Sequence, residues 1–486
     1  MKLLSFLLAL LVPVAASAVD LCPVVTKDGV ASYNCPLVFS GDVDFEGTVI
    51  GVLPDGVLTE SGTSPTGITY YVSSTGSDDN DCLAAGAGAC ATVQAAIDKI
   101  PHVVRRRYNI NVQSGTYAGF QIQGRHFTNP AVASAEGSIK IYGGYSACSV
   151  SDIGGSGTTS GTIDSGDQFS FTDSSQTWAV NGLRGLFVTS GGFYGHIVEN
   201  TATSLKVVGR NSAGFDNGET YQIYKHGTTI GGQPSGVTAI VTLNDISGST
   251  ERTDVYYVEL STLAFATGTF SGPVIEARYV SRVRLGNLTF GTGGTCGFGV
   301  YAKQVDMLVL GGSLYCKTCA PGGFIFEDVA YFDGTAGLAG VDIGTFGPEA
   351  AFTFKDCGRL VDLNLYIDDI GTGNCADFYG HQIVSPDHIT CIAADGDGIL
   401  ATEGTVFVRG GYADGSTFVG TGNGGYGVSV SPMSSFVFNG TPTITGTSGD
   451  ITLDNGATSL VWGTAFAGDG DVVVNSSALC RAQRKD

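Results

Sequence analysis

The chain has 486 residues and carries 24 Lys and Arg against 45 Asp and Glu, a formal net charge of −21. A field of that sign repels phosphate backbones and anionic lipid headgroups, which sets nucleic-acid binding aside. Glycine reaches 73 residues, about twice its usual share, while only 14% of residues are charged. Apolar and aromatic residues run through the whole chain, so the composition reads as many short strands joined by tight turns and not as a disordered linker.

The N-terminal end sets the compartment. Lys2 precedes an apolar run over residues 3–14, and Ala16-Ser17-Ala18 then offers a small-x-small cleavage site. The run is shorter than the roughly 20 residues of a spanning helix. Residues 1–18 are therefore read as a signal peptide, and the mature chain is expected to be secreted, extracellular and without membrane insertion. Twelve cysteines fit an oxidising compartment. Cys22 with Cys35, and Cys82 with Cys90, are near enough to be local staples. Cys316-Lys317-Thr318-Cys319 has redox-motif or zinc-motif spacing, but no βαβ context and no second pair at matching spacing accompany it, so structural disulfides are favoured.

Residues 19–68 read as a cysteine-tied β segment and linker. Residues 69–163 begin with a strand at 70–73 and a polar turn at 74–81. Val93, Ala96, Ile97 and Ile100 then fall on one face of a helix over 91–100, which Pro101 ends. A single amphipathic helix ahead of a long β region suits a cap over the open end of a strand stack. Period-2 alternation follows at Ile110 and Val112, Phe120 and Ile122, and Ile139 and Ile141. Residues 164–226 break the pattern and read as a small inserted antiparallel β module. Residues 227–480 resume it: Val283, Leu285 and Leu288 are matched 22 residues on by Val305, Met307 and Leu310, and Val329 follows Val305 by 24. Such periods without intervening helices predict an all-β parallel solenoid, in which each coil buries its inner face against its neighbours.

TYYVSSTGSDDNDC, CATVQAAIDKIP and INVQSGTY together resemble the N-terminal signature of right-handed parallel β-helix proteins of the pectin-lyase-like superfamily. FTDSSQTW, VENTATSLKVVG and the late GTSGDITLDNGATSLVWG are similar to segments of phage tail-spike-type and secreted bacterial β-helix proteins. The resemblance covers about residues 69–465. It implies a right-handed winding and a polysaccharide or glycan partner, and homotrimers are the assembly that such proteins often adopt. The superfamily holds lyases, hydrolases, esterases, epimerases and non-catalytic adhesins, so the fold alone does not choose a chemistry.

Candidate chemistry concentrates in residues 366–397. Asp368, Asp369 and His381 resemble the paired Asp and Gly-His of polygalacturonase-type hydrolases, in which one carboxyl protonates the leaving oxygen and another activates water. Gly-His-Gln replaces that family's Gly-His-Gly, and its Asn-Thr-Asp and Arg-Ile-Lys elements are not found. Solvated turns on an acidic protein are the competing reading. A lyase would need Ca²⁺ and an Arg or Lys base. Asp78, Asp79 and Asp81 are candidate Ca²⁺ ligands, or simply a polar turn. Asn287, Asn439 and Asn475 open glycosylation sequons, and His102, His126, His196 and His226 have no partners in sequence. The expected function is binding of extracellular or cell-surface polysaccharide, with cleavage by a hydrolase or lyase as its extension. The alternative is a non-catalytic structural or adhesive surface or virion-like protein.

Overall fold

The computed structural model describes strands Val25–Lys27 and Val30–Ser32 and most of residues 67–483. The longest undescribed segments beyond residue 66 are 128–136, 209–214, 245–256, 343–349, 410–417 and 463–471. Two units divide the chain at Ser61 and Gly62. In the first, the two short strands pair antiparallel. Residues 1–18, expected to be a signal peptide, and Cys22 and Cys35 lie outside the described residues.

The second unit is a large parallel sheet wound in repeated coils. One coil illustrates the path. Strand Arg282–Phe290 runs along a first face and, beyond Asn287, along a second. Strand Phe298–Leu310 starts on a third face and, beyond Gln304, returns to the first. Each segment pairs in parallel with the same segment of the next coil. Val283 stacks on Leu308, Leu285 on Leu310 and Leu288 on Leu314. The 22-residue match expected for Val283 is therefore three residues short, whereas Val305 does stack on Val329 as expected. The discrepancy has a local cause: single-residue corners interrupt the two-residue alternation, so apolar pattern alone misjudges the offset.

Those corners are residues of left-handed backbone. Thr262 and Asn287, at φ 59° and 53°, stack between the first and second faces. Tyr279, Gln304, Asp328, Asp356 and Gly380, with φ from 50° to 83°, separate the third face from the first. A left-handed residue other than glycine costs roughly 1–2 kcal/mol. The flanking ladders and the apolar interior offset it. Phenylalanines recur at inward positions and stack from coil to coil: Phe265 on Phe290 at 5.2 Å, Phe324 on Phe352 at 5.1 Å, and Phe326, Phe354 and Phe378 in series at 5.3 and 5.2 Å. These spacings slightly exceed the ~4.8 Å between strands, so the rings sit in offset contact.

Helix α1 (Val93–Asp98) is the amphipathic helix expected over 91–100, shorter than the pattern suggested. Thr92 caps it by accepting from Ala95 N–H, and Val93, Ala96 and Ile97 join the stack's core. The helix packs on strands Ile68–Val72, Arg107–Val112 and Phe120–Ile122. No helix among the described residues is long and apolar enough to cross a membrane.

Between first-face strand Ser138–Tyr142 and second-face strand Thr228–Gly231, the chain forms a separate antiparallel sheet with its own core around Phe171, Trp178, Ile197 and Tyr221. Strands Tyr145–Ala147 and Ser160–Thr162 pair with Thr220–His226, so this module opens near residue 145 and not at 164. Its seam with the stack holds two imidazoles, His196 fully buried and His226 half-buried with its Nδ1 enclosed. His196 shares hydrogen bonds with Ser313 Oγ through Nδ1 and with Thr289 Oγ1 at 3.2 Å through Nε2. His226 Nε2 reaches the same Thr289 hydroxyl at 3.0 Å.

Cys82–Cys90 and Cys316–Cys319 are disulfides, and Cys375 is also disulfide-bonded. Asn287 is no glycan acceptor: it is buried and accepts from the Ser313 N–H at 3.2 Å. Side chains of the other two sequons lie outside the described residues.

Candidate functional site

The third face carries the most organised polar surface among the described residues. Parallel in-register pairing forces outward side chains of successive coils into rows along the stack, about 4.8 Å apart. One row runs Gln121, Thr242, Glu276, Tyr301, Ile325, Thr353, Asp377. Beside it, two residues along each strand, runs Arg278, Lys303, Glu327, Lys355, Tyr379. Five coils, spanning about 19 Å at that spacing, thus hold three cations and three carboxylates, on a chain whose overall balance is 24 to 45. The face is locally neutral where the rest of the protein is strongly acidic.

Its groups are held in place. Glu276 is buried, accepting from Thr238 Oγ1 at 2.8 Å and from Arg278 Nε at 2.6 Å. The Arg278 guanidinium lies 5.2 Å from the centre of the Tyr301 ring. Tyr301 donates its hydroxyl to Glu327 at 3.0 Å, and Lys303 donates to the same carboxylate at 2.9 Å. Burial pulls the Glu327 carboxyl upward, but these two hydrogen bonds, with the charges of Lys303 and Lys355, hold it below its ordinary value. Lys355 is the outermost cation: half its side chain is exposed, and its Nζ is 3.9 Å from Glu327.

Asp377 behaves oppositely. Burial, helped by the Asp397 charge, pushes its carboxyl up to about 6, against hydrogen bonds from Asn374 Nδ2 at 2.9 Å and Tyr379 Oη at 3.3 Å. Asn374 is itself anchored by accepting from Asp397 N–H at 2.7 Å. One carboxyl on this face is therefore poised to give up a proton near pH 6, while another is kept ionised, the division of labour that acid–base chemistry uses. The two stand two coils apart, about 9.6 Å along the stack. The two-residue offset between the rows adds about 6.6 Å along the strand, so the pair is roughly 12 Å apart, beyond both the 5–5.5 Å of a retaining glycosidase pair and the 6.5–9.5 Å of an inverting one.

At the first coils the same row enters a cleft of about 410 Å³ beside α1, lined by Gln94, Asp98, Gln121, Gln123 and Pro234. Gln94 is oriented by accepting from Gln121 N–H and donating to Asp98, both at 2.8 Å. Carboxamides fixed in this way suit hydroxyl-rich ligands.

Of the residues singled out from sequence, those that are described lie elsewhere. Asp368 ends strand Arg359–Asp368 on the second face, between Asp342 and Ile392, whereas Asp377 is on the third. Asp369 and His381 lie outside the described residues. Asp78, Asp79 and Asp81 do not converge as metal ligands. Asp78 accepts from Ala91 and Thr92 N–H, each at 2.9 Å, and from the Thr92 hydroxyl, which fastens the start of α1; Asp81 accepts from Leu83 N–H. Among the described residues the one gathered set of possible ligands is Cys296, Cys316 and Cys319. Asp377 belongs to the acid-rich segment read from sequence, but the adjacent Asp368-Asp369 pair drew the assignment. The missed signal was a polar position recurring every 24 to 28 residues, at Arg278, Lys303, Glu327, Lys355 and Tyr379.

No family model matches the chain, and no curated protein matches it. Among solved structures, a glycoside hydrolase is similar over 86% of this chain and 96% of its own, at 9% identity and a TM-score of 0.28. The tailspike gp61 of Pseudomonas phage phi297 is similar over 77% and 62%, at 10% identity and a TM-score of 0.18. The Gp54 tailspike of Acinetobacter baumannii bacteriophage AP22, solved with a capsular saccharide, is similar over 76% and 71%, at 10% identity and a TM-score of 0.20. At these scores the likenesses carry no weight for the chemistry of this chain.

Proposed function

We propose that the protein is a secreted, right-handed parallel β-helix of pectin-lyase-like type that binds extracellular or cell-surface polysaccharide along its third face. The observation that supports this most is the double row from Glu276 to Tyr379. A linear polymer of repeating units is matched by a linear surface of repeating coils, and a locally neutral strip with projecting cations admits acidic as well as neutral sugars. In this reading α1 covers the N-terminal end of the stack, the antiparallel module is an insertion between coils, and a homotrimer is the candidate assembly.

Cleavage is the extension of that reading, with Asp377 as proton donor. Asp368, Asp369 and His381 are the competing catalytic set. A non-catalytic adhesin is favoured by one feature: Glu276 and Glu327 are already taken up by Arg278 and Lys303, so among the described residues of the double row no unengaged carboxylate accompanies Asp377. A digestion screen on the purified mature chain, over acidic and neutral polysaccharides with and without Ca²⁺, separates these readings. Product release that falls at least 100-fold in Asp377→Asn and declines as pH rises through about 6 supports catalysis there. Loss in Asp369→Asn alone moves the chemistry to the competing set. Binding without release makes the protein an adhesin, and no binding by a folded sample contradicts the proposal.

A further inference from the structure

The CxxC segment has a third sulfur beside it. Cys296 sits at a corner of one coil, between strands Arg282–Phe290 and Phe298–Leu310. Cys316 and Cys319 flank the equivalent corner of the next coil, between Leu314–Cys316 and Phe324–Asp333. Cys296 and Cys319 form a parallel bridge, one directly above the other. Their Sγ atoms are 2.7 Å apart, although Cys319 is bonded to Cys316 and Cys296 keeps its thiol. All three are fully buried, and the three sulfurs lie within 4.8 Å of one another.

Both pairings through Cys319 satisfy the Cα separation that a disulfide needs. The Cys316–Cys319 Cα separation is 6.2 Å, and strand neighbours such as Cys296 and Cys319 are separated by about 4.8 Å; both fall within the usual 4.4–6.8 Å. The two bonds do different things. Cys316–Cys319 closes a corner within one coil and leaves the neighbouring coil untouched. Cys296–Cys319 ties two consecutive coils together.

We propose that these cysteines form a thiol–disulfide exchange site in which one disulfide has two registers, with Cys319 as the shared sulfur. Cys296 sulfur, as thiolate, forms a bond to Cys319 sulfur; the Cys316–Cys319 bond breaks, and its electron pair leaves on Cys316. The proton given up by Cys296 ends on Cys316. The count is one thiol and one disulfide before and after, so no external oxidant or reductant is consumed. Burial pushes the Cys296 thiol up to about 12. The attacking thiolate is scarce at neutral pH, so exchange is slow there and accelerates in alkali.

The test is non-reducing peptide mapping of the full mature chain, with acid quenching and alkylation under denaturing conditions. Wild type held at pH 9.5 is expected to gain the Cys296–Cys319 peptide over time as Cys316–Cys319 declines, at least fivefold faster than at pH 7. Folded Cys316→Ser is expected to contain Cys296–Cys319, and folded Cys296→Ser only Cys316–Cys319. Wild type that never yields the Cys296–Cys319 peptide at pH 9.5 overturns the proposal, and this arm does not depend on any variant folding. So does folded Cys316→Ser with both remaining cysteines alkylated, or stoichiometric zinc with all three thiols reactive only after chelation.

Discussion

The coil stack and the antiparallel module reach stability by different routes. In the stack, inward Phe, Val, Leu and Ile repeat at equivalent positions, and each coil finishes the core of the one before it. In the module, the core around Phe171 and Trp178 is threaded by a buried polar network. Asp173 accepts from Tyr221 Oη at 2.7 Å, Gln176 Nε2 at 2.8 Å and Ser175 Oγ at 2.6 Å. Trp178 Nε1 donates to the Thr158 carbonyl, and Asn200 accepts from Leu183 N–H. Repetition makes the stack extensible, and each inward ring supports the coils on either side of it. The module depends on individual hydrogen bonds whose loss strands a buried polar group.

The largest expected effect breaks the stack. Phe354 contacts Phe326, Phe332 and Phe378 and is fully buried, so Phe354→Ala leaves a cavity and is expected to cost about 3–5 kcal/mol. Urea unfolding followed by tyrosine fluorescence measures it; a loss under 1 kcal/mol would mean that the aromatic series is decorative.

Acid is expected to separate the two regions. Burial holds His196 well below its ordinary value, reinforced by His226, and holds His226 down at about 3 despite the opposing Thr262 carbonyl. Both imidazoles are neutral in the fold, whereas unfolded histidine protonates below about 6.5. The unfolded seam therefore binds more protons, and stability falls as pH drops from about 6.5 towards 3, by up to ~1.4 kcal/mol per pH unit for each imidazole. Hydrogen exchange at pH 7 and pH 5 is expected to show module strands losing protection before stack strands. Equal loss in both would contradict a pH-sensitive seam.

Tyr221→Phe removes one donor to a buried carboxylate and is expected to cost about 1.5–3 kcal/mol. Exchange protection should fall in the module and stay unchanged at the Phe ladder. Gly380→Ala tests a single corner: at φ 83° the added Cβ would meet Asp356 Oδ1 at 2.1 Å. The expected loss is roughly 1–2 kcal/mol, read as a lowered unfolding midpoint.

This contrast explains what the sequence made legible. The stack could be read because its inward positions recur, and Val93, Ala96 and Ile97 announced the helix by spacing. The coil offset was misread because single left-handed corners shift the alternation, and while Asn287 is a residue type that favours such a corner, Gln304 is not. His196 and His226 were given no role, since their partners Thr289 and Ser313 are far away in sequence and meet them only when the module folds back. Asp377 was passed over because its environment depends on burial and on Asn374, Tyr379 and Asp397, which no spacing rule ranks above the neighbouring Asp368-Asp369 pair.

The central claim is that polysaccharide lies along the third face. Calorimetric titration of the mature chain with acidic and neutral polysaccharides tests it, comparing wild type with the double variant Lys303→Ala, Lys355→Ala and with Lys206→Ala, on the module surface. Binding of an acidic polysaccharide is expected to weaken at least tenfold in the double variant and to stay unchanged in the module variant. Equal affinity in all three would contradict the assignment of this face.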